Sequence, residues 1–77
     1  MDKHKLKLFQ KELGNRLTKA RLECNLTQAQ VAESGIIRQS HLSKIETGEI
    51  PANILIIREL AKLYNIDITK LIFDEEK

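Results

Sequence analysis

Hydrophobic and polar residues follow each other along most of the chain with the three-to-four-residue period of an α-helix. In the first segment this period produces a hydrophobic stripe that consists of Leu6, Phe9, Leu13, Leu17, Ala20 and Cys24. The stripe predicts an amphipathic first helix whose lysines and arginines lie largely on the other side. Asn25 is expected to end this helix in a left-handed conformation. Gly14 weakens its middle by roughly 1 kcal/mol, so we expect the part before Gly14 to fray or bend.

Two short helices are predicted in the middle of the chain. Thr27, followed three residues later by Gln30, is the pattern of a capping box and predicts a second helix at 28–33. Gly35 then begins a tight turn, and a third helix is predicted at about 39–46. Two short helices joined by a short turn that contains glycine are typical of a helix-turn-helix.

Two further helices are predicted after the only proline. Pro51 interrupts the helical pattern, Asn53 is the next expected N-cap, and a hydrophobic stripe follows until Asn65. Asp67 is expected to cap a short fifth helix. Because no segment shows the alternation of a β-strand and no repeat is present, the pattern predicts a single all-α domain of five helices over residues 1–77.

Composition limits the classes of protein. A chain of 77 residues and 8.9 kDa allows one small domain, and an aromatic content of 4% predicts an aliphatic core. The single cysteine, Cys24, excludes an intramolecular disulfide and a Cys-x-x-Cys metal site, so we expect no metal and no cofactor. No run approaches the roughly 18 apolar residues of a membrane span, and no signal peptide is recognisable. We therefore expect a cytoplasmic protein with no membrane partner.

The charge is unevenly distributed. The net charge is +2, but residues 1–22 hold seven basic and two acidic side chains, whereas residues 23–52 hold two basic and four acidic ones. The basic amino-terminal part can attract a polyanion, or it can be a solvated helix face. Charge alone does not decide between these two interpretations.

The predicted third helix carries polar side chains suited to reading base pairs. The major groove of DNA admits an α-helix and presents a distinct pattern of donors and acceptors for each base pair. Side chains of the required kind on this helix are Gln39, Ser40, Ser43 and Lys44. Every surface helix has a polar face, so these residues alone leave the function open.

Two sequence runs make the interpretation more specific. LTQAQVA at 26–32 and SHLSKIETG at 40–48, with further matching positions over 13–72, resemble the phage-repressor-like (Cro/C1-type) helix-turn-helix family. The resemblance implies a compact, lambda-repressor-like domain of five helices with the helix-turn-helix at helices two and three. It also implies a sequence-specific transcription regulator that binds a double-stranded DNA operator as a homodimer. A basic extension, 1–12, and a short acidic tail, 74–77, lie outside the match.

The resemblance also implies roles for individual residues. Base contacts are expected from Gln39, Ser40, Ser43 and Lys44, and phosphate contacts from Gln28, Arg38, Lys19 and Asn53. Arg21 and Glu46 match a family ion pair that joins the first helix to the end of the third. The candidate dimer surface consists of Ile68, Leu71, Ile72 and Phe73, although Phe73 can instead fold back onto its own core.

Three positions depart from the family pattern. Gly35 falls one place earlier than the usual glycine, with Ile36 in that place, so the turn is expected to be unusual. One residue is inserted between Pro51 and Ala61. The loop at 46–53 has no basic residue, and it carries Glu49 where the family's loop contacts the DNA backbone.

Several functions remain as alternatives. A domain of this size fits a phage-type repressor or a restriction–modification controller protein. An antitoxin that represses its own operon is the second alternative, and a protein-interaction adaptor that reads no DNA is the third; contacts with polymerase or a toxin stay open. An enzyme is not expected, because the chain has no Gly-rich phosphate loop and no metal-ligand spacing, and its histidines, His4 and His41, are the only candidates for a general base at neutral pH.

Overall fold

Five α-helices make up the regular structure of the chain. The computed structural model describes residues 2–73. The helices are α1 (Lys3–Glu23), α2 (Gln28–Glu33), α3 (Gln39–Thr47), α4 (Ile54–Tyr64) and α5 (Ile68–Ile72). No strand occurs among the described residues, so the predicted all-α fold with five helices is confirmed.

Side-chain caps begin four of the helices. Asp2, Thr27, Asn53 and Asp67 each accept a hydrogen bond from a backbone N–H in the first turn of the helix that follows. At α2 the capping box is complete, because Thr27 Oγ1 accepts from Gln30 N at 3.0 Å and Gln30 Oε1 accepts from Thr27 N at 2.8 Å. These caps satisfy N–H groups that the helix itself leaves without partners, and each depends only on residues that are close together in the sequence.

Left-handed residues end three of the segments. Asn25 follows α1 with φ of 58°, Gly48 caps α3 with φ of 83°, and Asn65 caps α4 with φ of 56°. Glycine and asparagine tolerate this conformation better than other residues. The chain therefore reverses where the sequence predicts.

The core is aliphatic and receives side chains from every helix. Its fully buried members are Leu17, Val31, Leu42, Ile45, Leu60 and Leu71. Tyr64, 3% exposed, is the aromatic residue of this core. None of the helices in the described part of the chain is long and apolar enough to cross a membrane.

Helix α1 is continuous from Lys3 through Gly14 to Glu23, so the predicted fraying of the part before Gly14 is wrong. Gly14 is buried where α1 crosses the end of α3, and a Cβ atom at this position would lie 2.6 Å from the carbonyl oxygen of Ile45. The absence of a side chain lets the two backbones approach closely. This tertiary contact outweighs the low helix propensity of glycine.

The amino-terminal part of α1 extends beyond the core. Residues 3–9, here called the α1 overhang, are all exposed. Leu6 and Phe9 belong to the predicted hydrophobic stripe, but they remain 48% and 39% exposed. Periodicity identified the face of the helix correctly, whereas no described element covers that face before residue 10.

Helix α5 packs back against α1. Leu71 is fully buried in the core, and Arg16 Nη1 donates a hydrogen bond to its carbonyl oxygen at 3.1 Å. The prediction that Leu71 belongs to a dimer surface is therefore wrong, because its side chain is covered by its own chain. Ile68 and Ile72 are half-buried and Phe73 is 60% exposed, so Phe73 does not fold back onto the core.

Candidate nucleic-acid interface

Helices α2 and α3 are joined by a turn at residues 34–38. Gly35 has φ of 86°, and a Cβ atom at this position would meet nothing within 4 Å, so the turn needs its conformation rather than its small size. Ser34 Oγ donates to the carbonyl oxygen of Val31 at 2.6 Å and accepts from the backbone N–H of Ile36 at 3.3 Å. The displaced glycine thus supplies the left-handed residue of the turn, and Ile36 keeps a negative φ.

Helix α3 has a buried inner face and a polar outer face. Leu42 and Ile45 are 0% and 1% exposed and anchor the helix in the core. On the outer face Gln39, Ser40 and Lys44 are exposed and Ser43 is half-buried. None of these four side chains makes a hydrogen bond to another described residue, so all four remain available to a partner.

The amino-terminal end of α3 is suited to an anion. Arg38 is the N-cap residue, is exposed, and makes no side-chain hydrogen bond to the helix. The first turn contains no acidic residue, so the positive end of the helix dipole is not neutralised there. A phosphate at this end would meet backbone N–H groups together with the guanidinium of Arg38.

Arg21 and Glu46 form a buried bidentate ion pair between α1 and α3. Arg21 Nε lies 2.8 Å from Glu46 Oε2, and Arg21 Nη2 lies 3.0 Å from Glu46 Oε1. The two residues are 8% and 6% exposed. The hydrogen bonds that Arg21 donates to Glu46 raise the pKa of Arg21 above its ordinary value; burial opposes this rise, and the negative charge of Glu46 adds to it.

Gln28 and Leu26 extend this pair to the start of α2. Gln28 Nε2 donates to Glu46 Oε1 at 2.9 Å, and Arg21 Nη1 donates to the carbonyl oxygen of Leu26 at 2.8 Å. The network therefore connects α1, the start of α2 and the end of α3. It fixes the direction of α3 relative to the rest of the domain. A helix needs such a fixed direction in order to enter a groove in one orientation.

The remaining predicted phosphate contacts lie in different places. Asn53 uses Oδ1 to cap α4, with Ile56 N at 2.9 Å, and its Nδ2 donor is compatible with a further contact. Lys19 lines a groove of about 740 Å³ between α1 and α5 that no residue of α2 or α3 lines. The structure therefore does not bring Lys19 together with the other candidates.

Three features of the site were missed at the level of sequence. Gln10 Nε2 donates to the carbonyl oxygen of Gly48 at 3.2 Å, and a Cβ atom on Gly48 would lie 2.8 Å from the Cα atom of Lys11. With Gly14, these contacts hold α1 against the end of α3. Gly14, in the middle of an otherwise good helix, was the signal in the sequence for a close helix contact. One sequence could not show that the end of α3 is the segment that makes this contact.

Tyr64 lies in the core with its hydroxyl oxygen buried and without a hydrogen bond to any described residue. Burial, followed by the nearby charge of Glu46, raises the pKa of Tyr64 to about 12. The Sγ atom of Cys24 donates to the carbonyl oxygen of Tyr64 at 3.2 Å. Cys24 is thus part of the packing between α1 and α4.

Comparison with known protein families gives one match. A family model described as helix-turn-helix matches residues 17–71, which include α2, the turn and α3. No curated protein and no solved structure matches the chain significantly.

Proposed function

Because the chain belongs to the Cro/C1-type helix-turn-helix family of DNA-binding transcription regulators, we propose that it binds a specific operator through α3 as a homodimer. The family consists of DNA-binding regulatory domains and is not a family of enzymes. The observation that carries the proposal is the outer face of α3. Its polar side chains make no hydrogen bond to another residue of the described chain, while the buried ion pair Arg21–Glu46 connects the inner side of the same helix to α1.

Gln39 and Lys44 are the proposed base-reading residues with the most specific chemistry. A glutamine can pair bidentately with adenine, and a lysine can donate to guanine. Each such contact discriminates against the wrong base by about 1–3 kcal/mol. Ser40 and Ser43 lie between them and can accept or donate at either purine or pyrimidine edges.

Phosphate contacts would position the domain without reading sequence. Arg38 and the first turn of α3 are the best supported, because charge and helix dipole act together there. Gln28 has one amide N–H committed to Glu46, and its second amide hydrogen can reach a phosphate while the first keeps the network intact. Asn53 is a further donor of this kind.

A homodimer would enlarge the short site that one helix reads. Dimers of helix-turn-helix domains bind half-sites about one helical turn apart. Phe73, together with the half-buried Ile68 and Ile72, forms the proposed contact surface. Replacement of Phe73 by alanine should shift sedimentation toward the monomer, whereas Leu22→Ala, which removes an equally exposed hydrophobic side chain from α1, should not.

The first test is selection of bound sequences from random duplex DNA by the purified protein. We expect an enriched inverted repeat, and Gln39→Ala should relax the preference at one base pair of each half-site. Asn15→Ala, which removes an exposed amide from α1, is the matched control and should leave the motif unchanged. Absence of enrichment by the wild-type protein would contradict sequence-specific reading by this domain.

Exposed hydrophobic residues at the start of α4 favour a second candidate, a domain that binds another protein. Ile54 and Leu55 are 58% and 68% exposed, and Leu55 lines a groove with Ile36 and Ile56. A regulator that touches polymerase, an antitoxin that binds a toxin, or an adaptor would need such a surface. The salt dependence of DNA binding separates these from an operator-binding regulator, because only phosphate contacts release counterions.

Within the regulators, the phage-type repressor and the restriction–modification controller are both compatible with this domain.

A further inference from the structure

The α1 overhang has no role in the function proposed above, although a row of positive charge begins on it and continues one turn beyond it. Lys3, Lys7 and Lys11 follow one another at intervals of four residues, so they lie on one face of α1. All three are exposed. At 1.5 Å per residue the row is about 12 Å long. Asp2, the acidic residue at the start of the row, is the N-cap of the helix and accepts from Lys5 N at 2.8 Å.

The row begins at the carboxyl-terminal end of α3. The Cα atom of Lys11 lies against Gly48, which ends α3, and Gln10 donates to the carbonyl oxygen of Gly48. Since Lys3 and Lys7 share the face of Lys11, the row continues from this contact along the same side of α1. Helix α1 is unbroken through its crossing with α3, so one continuous helix connects the row to the contact with α3.

The segment after α3 lacks the positive charge that a neighbouring phosphate needs. Between Lys44 and Arg58 the chain has no lysine or arginine. It has instead the exposed Glu49, whose carboxylate accepts from Thr47 Oγ1 at 3.0 Å. The row at the same end of α3 supplies positive charge there.

We propose that Lys3, Lys7 and Lys11 form a binding site for phosphates of duplex DNA that flank the base pairs read by α3. A strand of B-DNA winds around the helix axis while it advances about 3.4 Å per phosphate, so successive phosphates lie farther apart than this rise, and the row of three lysines can meet about three of them. The inference rests on the proposed function, because it requires that α3 enters the groove.

The test compares two variants that lose the same charge. Lys3→Gln/Lys7→Gln/Lys11→Gln removes the row, and Arg58→Gln/Lys62→Gln/Lys70→Gln removes three exposed charges from α4 and α5. Fluorescence anisotropy measures the affinity of each full chain for the selected duplex and for a random duplex between 50 and 200 mM salt. Circular dichroism checks that both variants fold.

Each phosphate contact contributes about 0.9 to the slope of log affinity against log salt. Loss of the row should therefore lower the slope by about 2.7, and the ratio of wild-type to variant affinity should fall roughly 40-fold between 50 and 200 mM salt. The control triple variant should keep the wild-type slope. Within the overhang, Lys7→Gln should lower the slope by about 0.9, while Lys5→Gln, which lies on a different face, should not.

The outcomes separate this inference from the proposed function. Equal slopes for the two triple variants, or for Lys7→Gln and Lys5→Gln, overturn the phosphate site even when the wild-type protein selects a sequence. A second outcome is that the wild-type protein selects no sequence, while on random duplex the row variant, but not the control triple variant, has a lower salt slope than the wild type. This outcome overturns specific reading and supports the phosphate site. A wild-type protein that binds no duplex overturns both.

Discussion

Replacement of Glu46 by glutamine tests whether the buried ion pair holds α3 in place. Glutamine has nearly the same shape, but it leaves the guanidinium of Arg21 without a counterion and presents an N–H₂ group to its donors. Removal of one partner from a buried pair costs about 3–5 kcal/mol. Because the amide keeps one oxygen that Arg21 or Gln28 can donate to, we expect the lower end, about 3 kcal/mol.

For a domain of this size a loss of 3 kcal/mol lowers the melting temperature by roughly 12–24 °C. Thermal unfolding followed by circular dichroism at neutral pH measures this change. Glu59→Gln is the matched control, because the Glu59–Lys62 pair is exposed and its charged atoms are 3.7 Å apart. That pair should contribute less than about 0.5 kcal/mol. Equal melting temperatures for the two variants would refute the reasoning.

A double variant separates stability from orientation. Arg21→Met/Glu46→Met replaces the pair by hydrophobic side chains of similar length and leaves no buried charge, so it should be more stable than Glu46→Gln. Operator affinity should nevertheless remain reduced, because Gln28 and the end of α3 lose the atoms that fix their relative position. A double variant with full operator affinity would show that packing alone orients α3.

Three further predictions concern stability. Gly14→Ala should lower the free energy of unfolding by about 1–3 kcal/mol despite the better helix propensity of alanine, because the backbone carbonyls of α3 would have to move. Gly35→Ala has open space around it and should lower the free energy of unfolding by only about 1–2 kcal/mol, because alanine is strained in the left-handed conformation. Chemical denaturation measures both changes. Tyr64→Phe removes a buried hydroxyl without a described partner and should raise the free energy of unfolding at neutral pH by about 1 kcal/mol. Because folding raises the pKa of Tyr64 from 10.0 to about 12, the stability of the wild type should fall relative to the variant as the pH rises from 10 toward 12. A constant difference across this window would contradict the burial of the hydroxyl. Arg16→Met removes the hydrogen bond to the carbonyl oxygen of Leu71, so hydrogen exchange in α5 should accelerate more than in α3, and equal acceleration in both helices would argue against a local role.

Features determined by neighbours in the sequence could be predicted well. The caps Thr27, Asn53 and Asp67 and the left-handed Asn25 act within three or four residues, and the structure places each of them where the pattern indicates. Helix boundaries followed from these local signals. Family resemblance added the pairing of Arg21 with Glu46, which are 25 residues apart and which no periodicity would have joined.

Features determined by the arrangement of helices could not be predicted in the same way. Periodicity assigns Leu6, Phe9 and Leu71 to hydrophobic faces, but it does not tell whether another element covers that face. In the fold the first two are exposed on the α1 overhang and the third is enclosed. The close crossing at Gly14 depends on the separation of two helices, a quantity that one sequence does not contain.

The outer residues of α3 have a further consequence for how such a protein can change over time. Gln39, Ser40 and Lys44 are exposed and their side chains make no hydrogen bond or ion pair with another described residue, so their replacement should leave the core, the caps and the buried pair unaltered. Under the proposed function, new operator preferences could therefore be acquired one substitution at a time while the protein stays folded. The same separation would allow an engineer to graft the outer residues of another reading helix onto this scaffold and to expect a stable recipient.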